Sequence, residues 1–479
     1  MVEMTLDNVY LKITGMEKED ELALWNLLSF QIQIFGPVPD IRYRHLYNRK
    51  THLTYAGLFP YAIGFFKKNN IKYKVYDNRL KPEQNANFKF VNYLEDGTKV
   101  ELRPYQKNIV DKCAGRAVIQ AATGAGKSII MAALIARFSV KPVCIFAHTV
   151  TLCRQLQAEI GKFLNEHVGL VGDGVEDYQD ITVVSMQSAD DDYIRNVKMI
   201  LFDECHHIPA NTCVDIANKC VNAYYRIGVS ATPWRDAGDD MLIEAVLSPR
   251  IKSMDISAST LIKMGYLVQP TIYFVPITTV VQGKKFNDIY QKAIVDNDYR
   301  NRIIYQIITQ MHKRDRKILV LIKNIQHGET ILNALKKLIP EEQNPITVAH
   351  PKSGKETTVI VRNVEFLSGN DGSLKRSAVI EAVKQDKCHI LIASVIADEG
   401  LDLPILDTLV LAGGGKSSTR AFQRIGRVIR LYKNKKKAVV FDFMDYTPML
   451  RNHSRKRKRL YSQEPEWIIR EFAVQPLDM

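Results

Sequence analysis

No apolar run in this 479-residue sequence approaches the ~18–20 residues that a membrane-spanning helix needs. The start, Met1 to Leu22, mixes Glu3, Asp7, Glu17, Glu19 and Asp20 with its apolar residues and lacks the basic start and apolar core of a secretory signal. Cysteine is scarce. The seven present (Cys113, Cys144, Cys153, Cys205, Cys213, Cys220 and Cys388) form an odd set without a C-x-x-C pair, which argues against a structural zinc site and a disulfide framework. Most lie in apolar runs, where cysteine acts as a small hydrophobe, and a reducing, cytoplasmic compartment fits. Short-period repeats and low-complexity segments are missing too. With 46% hydrophobic and 25% charged residues, the chain has a globular composition, not a disordered, collagenous or coiled-coil one.

Acids are nearly missing from one stretch. Between Ile41 and Lys81 ten basic residues (Arg42, Arg44, Arg49, Lys50, Lys67, Lys68, Lys72, Lys74, Arg79, Lys81) face the single acid Asp77. Over the whole chain the excess is 66 − 52 = +14, which favours a polyanionic partner such as nucleic acid. Tyrosines and phenylalanines interleaved with these cations suit base stacking, although most are expected in a local core. Gly57 to Lys68 reads as a short helix and Ile71–Tyr76 alternates like a strand. Residues 1–98 are therefore read as a small basic α/β (α+β) domain that supplies substrate preference and is separable from the rest. Lys67 and Lys68 are its candidate nucleic-acid contacts.

From about Glu101 short apolar runs alternate with helical stretches. Ala117–Ala121, Val143–Ala147, Ile181–Ser185, Met199–Asp203 and Arg226–Ser230 form one series. Ile318–Ile322, Val364–Ser368, His389–Ser394, Thr408–Ala412 and Ala438–Asp442 form a second. Continuous apolar strands between helices indicate parallel sheets covered on both faces. The expected class is α/β, with two tandem lobes over 99–265 and 266–450. Ile346–Ala349 and Thr357–Val361 flank a turn cluster and predict a hairpin inserted near 344–361, where Lys352, Lys355 and Arg362 suit a DNA junction. Residues 451–479 read as a basic tail, densest at Arg455–Arg459.

The run Ala121-Ala122-Thr123-Gly124-Ala125-Gly126-Lys127-Ser128 follows an expected strand and opens an expected helix, the setting a phosphate-binding loop requires. Glycines let backbone N–H groups turn towards phosphates, and the helix N-terminus adds partial positive charge. Lys127 would neutralise the β- and γ-phosphates of ATP, and Ser128 would coordinate Mg2+. The strict pattern has glycine where this chain has Ala121. Asp203-Glu-Cys-His206 ends an apolar strand, where ligands bind in open α/β sheets. Asp203 suits the magnesium shell and Glu204 suits polarising the attacking water.

The loop, Asp203-Glu-Cys-His206 and Ser230-Ala-Thr-Pro233 together resemble superfamily 2 helicases of the DExH kind, over nearly all of residues 101–445. In that family alanine before the loop is usual. The resemblance implies paired RecA-like lobes, with Arg103 and Gln106 of Leu102-Arg-Pro-Tyr-Gln106 at the adenine and His206 in the catalytic set. Ser230 and Thr232 would couple nucleotide to nucleic acid. Phe146 to Gln155 is similar to the first strand-tracking motif, with His148 in place of the usual proline. It implies nucleic-acid contacts by Thr149, Arg154 and Gln155, and the next motif adds Gln187. In the second lobe Ser394 and Asp398-Glu-Gly-Leu-Asp402 resemble the motif that touches both ligands, Ser394 on nucleic acid and Gly400 and Asp402 on nucleotide. Gln423-Arg-Ile-Gly-Arg-Val-Ile-Arg430 resembles the arginine-finger motif, which implies Gln423, Arg427 and Arg430 at the γ-phosphate.

The order of a small basic module and two helicase lobes looks like the UvsW-type phage recombination helicases. The reading is an ATP- and Mg2+-dependent DNA helicase or translocase acting on forked or branched DNA, favoured as a monomer, with recombination or replication proteins as further partners and no membrane. Three alternatives stand beside it: an RNA helicase, a double-stranded-DNA translocase such as a restriction motor subunit, and a nucleotide-regulated nucleic-acid clamp.

Overall fold

In the computed structural model, which describes residues 1–34, 40–233, 238–250, 254–283, 285–349, 355–394, 403–415 and 418–473, strands form where apolar residues run without interruption. Val143–Ala147, Ile181–Ser185 and Met199–Asp203 are buried along their whole length. They belong to a seven-stranded sheet in the order Val175–Asp177, Gly169–Gly172, Ile181–Ser185, Val143–Ala147, Met199–Asp203, Tyr225–Ser230, Arg116–Gln120. All pairs are parallel except the antiparallel edge pair. The loops that follow Gln120, Asp203 and Ser230 thus leave from one edge of the sheet.

Residues 1–77 form a second, four-stranded sheet in the order Leu53–Tyr55, Tyr10–Thr14, Val2–Leu6, Tyr73–Asp77. Helices Lys18–Leu27 and Phe59–Lys68 accompany it, with a separate hairpin of Ser29–Ile34 and Asp40–His45. This is the expected α+β module, but it shares its core with the lobe. Met4, Leu6, Leu58 and Phe66 belong to one buried cluster with Phe202, Ile216, Leu242 and Val246. A Cβ on Gly57 would lie 2.2 Å from the Glu244 carbonyl oxygen and 2.4 Å from that of Ala245, so this approach of two backbones requires glycine. Tyr61 donates to Glu244 Oε2 at 2.5 Å, Asn8 donates to the Val221 carbonyl at 3.2 Å, and Arg116 donates to the Asn8 carbonyl. The chain divides into two compact units after Ser257, and the composition change near residue 98 marks no division. Charge changes with the surface, whereas packing follows the apolar contacts.

The second unit carries its own seven-stranded sheet, ordered Val364–Leu367, Ile390–Ser394, Ile318–Ile322, Thr408–Val410, Ala438–Asp445, Pro270–Ile277, Ile468–Glu471. Every pair is parallel. The expected hairpin is present as Gln343–Ala349 paired with Glu356–Arg362. The expected basic tail, in contrast, holds helix Pro448–Tyr461 and edge strand Ile468–Glu471 of the sheet. Leu450, Ser454, Arg457 and Tyr461 form the buried face of that helix, at helical spacing. Arg457 makes two 2.8 Å bonds to Asp442, and the Tyr461 hydroxyl adds a third at 2.9 Å. One cation inside the basic run is therefore structural.

All seven cysteines are buried and unbridged. Among the described residues no helix is long and apolar enough to cross a membrane.

Candidate active site

Strand Arg116–Gln120 delivers the chain to Ala121, whose N–H donates to the Ser230 carbonyl at 2.8 Å. Ala121 is fully buried against the neighbouring strand, and glycine has no role there. The turn comes later, at Gly124 and Gly126, with φ of +87° and +76°. Both lie in the left-handed region that glycine enters without a steric cost. Gly126 is also held by space, since a Cβ there would lie 2.7 Å from Gln106 Nε2. It caps helix Lys127–Phe138, so the first N–H groups of the helix open into the loop as an anion site. Ala122 and Ala125 are buried in that loop, and the Ala125 N–H donates to the Ala122 carbonyl at 2.9 Å.

Helix Pro104–Lys112 braces the loop from behind. The buried Gln106 amide accepts from the Arg103 N–H at 2.9 Å and donates to the Ala125 carbonyl at 2.9 Å. The Tyr105 hydroxyl donates to the same carbonyl at 2.8 Å. Gln106 thus couples the leading motif to the phosphate loop. Tyr105 lay inside the motif, but its bond to Ala125 has no sequence signal.

The carboxylates follow from strand Met199–Asp203. Glu204 takes φ +49°, an unusual value for a side chain of its size, and this turns it back towards the loop. Lys127 Nζ donates to Glu204 Oε1 and lies 4.0 Å from Asp203 Oδ1. The other Glu204 oxygen accepts from Ser230 Oγ at 3.0 Å and lies 3.2 Å from His206 Nδ1. Ser230 Oγ in turn lies 3.0 Å from His206 Nδ1 and accepts from the Thr232 N–H at 3.2 Å. One chain of bonds therefore joins Lys127, Glu204, His206, Ser230 and Thr232.

Burial alone would raise the Glu204 carboxyl, but Lys127 and His206 outweigh it and hold the group below the usual carboxylate range. At Asp203 burial wins over Lys127, with Glu204 adding repulsion, and its carboxyl is pushed up to about 6. Asp203 Oδ1 is buried with no hydrogen-bond donor, and Ser128 is the second residue of the neighbouring helix. Hard oxygen donors of this kind fit a magnesium ion.

Thr149 caps helix Val150–Leu164 by accepting from the Leu152 N–H at 3.4 Å. Arg154 is exposed, 3.5 Å from Asp173, and Gln155 donates to Glu159 at 2.8 Å. Gln187 is exposed on a short turn, and Lys67 and Lys68 are exposed at the end of their helix. In the second unit Ser394 ends a buried strand. Gln423 and Arg427 share one face of helix Ser418–Val428 with Arg420 and Arg424, at i, i+3, i+4, i+7 spacing, and Arg430 bridges to Leu267 just beyond it. Gly400 and Asp402 lie outside the described residues, as does Lys352 of the hairpin. The loop before the Ser418–Val428 helix is held by residues that carried no motif. Tyr290 donates to the Gly413 carbonyl at 2.7 Å, Arg300 to that of Ala412 at 3.3 Å, and Arg457 to that of Gly415 at 2.8 Å.

Residues 99–235 match the family described as "Type III restriction enzyme, res subunit", and residues 299–432 match "Helicase conserved C-terminal domain". The chain is 26% identical to helicase 22 of a Sulfolobus islandicus filamentous virus, over 96% of this chain and 84% of that one. It is 24% identical to the ATP-dependent DNA helicase uvsW of Enterobacteria phage T4, over 88% and 86%. Among solved structures, a fragment of an HsdR subunit of a type I restriction enzyme from Vibrio vulnificus superposes with a TM-score of 0.56 at 16% identity, covering 92% of this chain and 90% of that one, a likeness of fold. With the phosphate loop, the Asp203–Glu204 pair and two parallel-sheet units of matching order, the chain is a superfamily 2 helicase that resembles the UvsW type.

Proposed function

We propose that this enzyme is an ATP-driven DNA helicase or translocase, cytoplasmic and monomeric, that works on forked or branched DNA in recombination, replication or repair. The observation that carries the proposal is the bonded chain from Lys127 through Glu204 and His206 to Ser230 and Thr232. It ties the group that holds phosphate to a loop outside the nucleotide pocket, as a motor needs. Lys127 and the loop N–H groups bind the phosphates, Ser128 and Asp203 hold magnesium, and Glu204 orients the attacking water. When bound, the metal spreads the phosphate charge. Arg103 and Gln106 are assigned the adenine, and Gly400 and Asp402 a nucleotide contact. Arg427 and Arg430 are assigned to supply positive charge to the transition state, a contribution of about 10³–10⁵ in rate in related chemistry, and the neutral Gln423 to hydrogen-bond the γ-phosphate. Thr149, Arg154, Gln155, Gln187 and Ser394 are assigned to the nucleic-acid track. The basic first module, built into the core of the ATP-binding unit, favours a nucleic-acid track, and the likeness to a phage DNA helicase favours DNA.

The deciding measurement is ATP hydrolysis on matched single-stranded, duplex, forked and four-way DNA and on RNA of the same sequence. Stimulation by DNA, greatest on forks and junctions, is expected. Equal stimulation by RNA would favour an RNA helicase. Stimulation by plain duplex without strand separation would favour a restriction-type translocase, and none at all a nucleotide-regulated clamp.

A further inference from the structure

The first module carries a row of rings that the core does not explain. Trp25 and His45 lie parallel, their centroids 3.3 Å apart and their planes 5° from one another. Tyr43 continues the row on the outer side, 6.4 Å from His45 at 28°. Tyr43 and His45 are two residues apart on one strand and so share a face of the hairpin. The inner end is closed: Trp25 packs against the common core, and the Arg49 guanidinium stands 5.9 Å from its ring. The outer end is open, because Tyr43 is 57% exposed, more than any other aromatic in the described part of residues 1–77. Its hydroxyl is already fixed by Gln31, which donates to it at 2.8 Å. That bond holds the ring in place.

A single exposed tyrosine needs no explanation. A pre-ordered row of three rings with one open end, in a stretch with ten cations and one acid, is a different object. Glu21, on the helix that carries Trp25, is occupied by Arg49 at 3.4 Å and His52 at 3.1 Å. A ligand that adds a fourth ring and brings negative charge fits this surface, and a nucleotide in DNA does both. Within a duplex both faces of a base are covered by its neighbours, so a base free to stack here is an unpaired one. The hairpin also reaches the ATP-binding lobe: a Cβ on Gly238, six residues after Thr232, would lie 3.9 Å from the Gln31 carbonyl.

We infer that the open face of Tyr43, backed by His45 and Trp25, is a stacking site for an unpaired DNA base at a fork or junction. The inference rests on the DNA reading above and adds a residue and a ligand class to it. The test uses the full chain and two DNAs of equal length, a fork with an unpaired arm and a fully paired duplex. The fork carries 2-aminopurine in its arm, next to the branch. Tyr43→Ala is expected to weaken fork binding roughly tenfold and to abolish the quenching of 2-aminopurine, while duplex affinity moves less than about twofold. Tyr43→Phe, which keeps the ring and loses the hydroxyl with its Gln31 bond, should retain the quenching and most of the fork affinity. Equal losses on fork and duplex, or no loss on either, would overturn the stacking site and leave the DNA reading standing. A parent protein that binds neither DNA would bring down both.

Discussion

The first module and the second-unit hairpin look alike in sequence. Each is a small, basic, β-containing addition to a helicase lobe. In the structure they differ in what they bury. The module gives Met4, Leu6, Leu58, Phe66 and many others to a core held jointly with the lobe. The hairpin buries Ile346 on one strand and Val361 on the other, and Ile360 beside it is 52% exposed. Its base is tied down by Asn344, which donates to the Lys387 carbonyl at 3.2 Å, and by the Arg362–Glu341 pair at 2.9 Å. The lesson is that an addition's charge says what it can touch, and its apolar contacts say whether it can be removed.

The sharpest way to break this comparison is to delete residues 1–98. Removing one side of a common core should leave a first lobe that no longer folds cooperatively, with loss of the thermal transition and of ATP hydrolysis together. A truncated protein that melts and hydrolyses ATP like the parent would show that the module is detachable after all. Glu204→Gln is the control for chemistry without unfolding. Turnover should fall by about 10²–10⁴, while ATP binding and the melting temperature stay close to those of the parent.

Effects of intermediate size probe single anchors. Arg457→Ala would strand Asp442 in the interior, and denaturant unfolding of the second unit should show a loss of about 3–5 kcal/mol. Gly57→Ala forces apart the module and the Glu244–Ala245 backbone, at an expected cost of about 1–3 kcal/mol in the first unit, read by the same method. The smallest effect is expected at the hairpin tip. Replacing residues 350–355 with Asn-Gly, a turn suited to a two-residue hairpin, should change stability by no more than about 0.5 kcal/mol. Hydrolysis stimulated by single-stranded DNA should persist, while strand separation falls. Unchanged strand separation would make the tip dispensable for function as well.

The strands and the phosphate loop were legible because their signals are local. Five apolar residues in a row, or two glycines before Lys127-Ser128, need no distant partner to be read. Asp203 and Glu204 were legible for the same reason, as residues ending an apolar strand. The bond from Ser230 to Glu204 was not, since the two lie 26 residues apart and meet only when their strands pair. Gly57 reads as one helix-flanking glycine among many until Glu244 is seen against it. Arg457 was hidden in another way. In Arg455-Lys-Arg-Lys-Arg459 every residue is a cation, and the helical period that buries one of them is carried by Leu450, Ser454 and Tyr461 outside the run.

The burial of all seven thiols has a practical consequence. Burial pushes up the thiols of Cys113, Cys144, Cys153, Cys205, Cys220 and Cys388, so little reactive thiolate exists at neutral pH. A cysteine introduced at an exposed position such as Lys355 would react with a maleimide dye far faster than any native one. Fluorophores can therefore be placed on such a single-cysteine addition without first building a cysteine-free background, and the motions of this motor can be followed one molecule at a time.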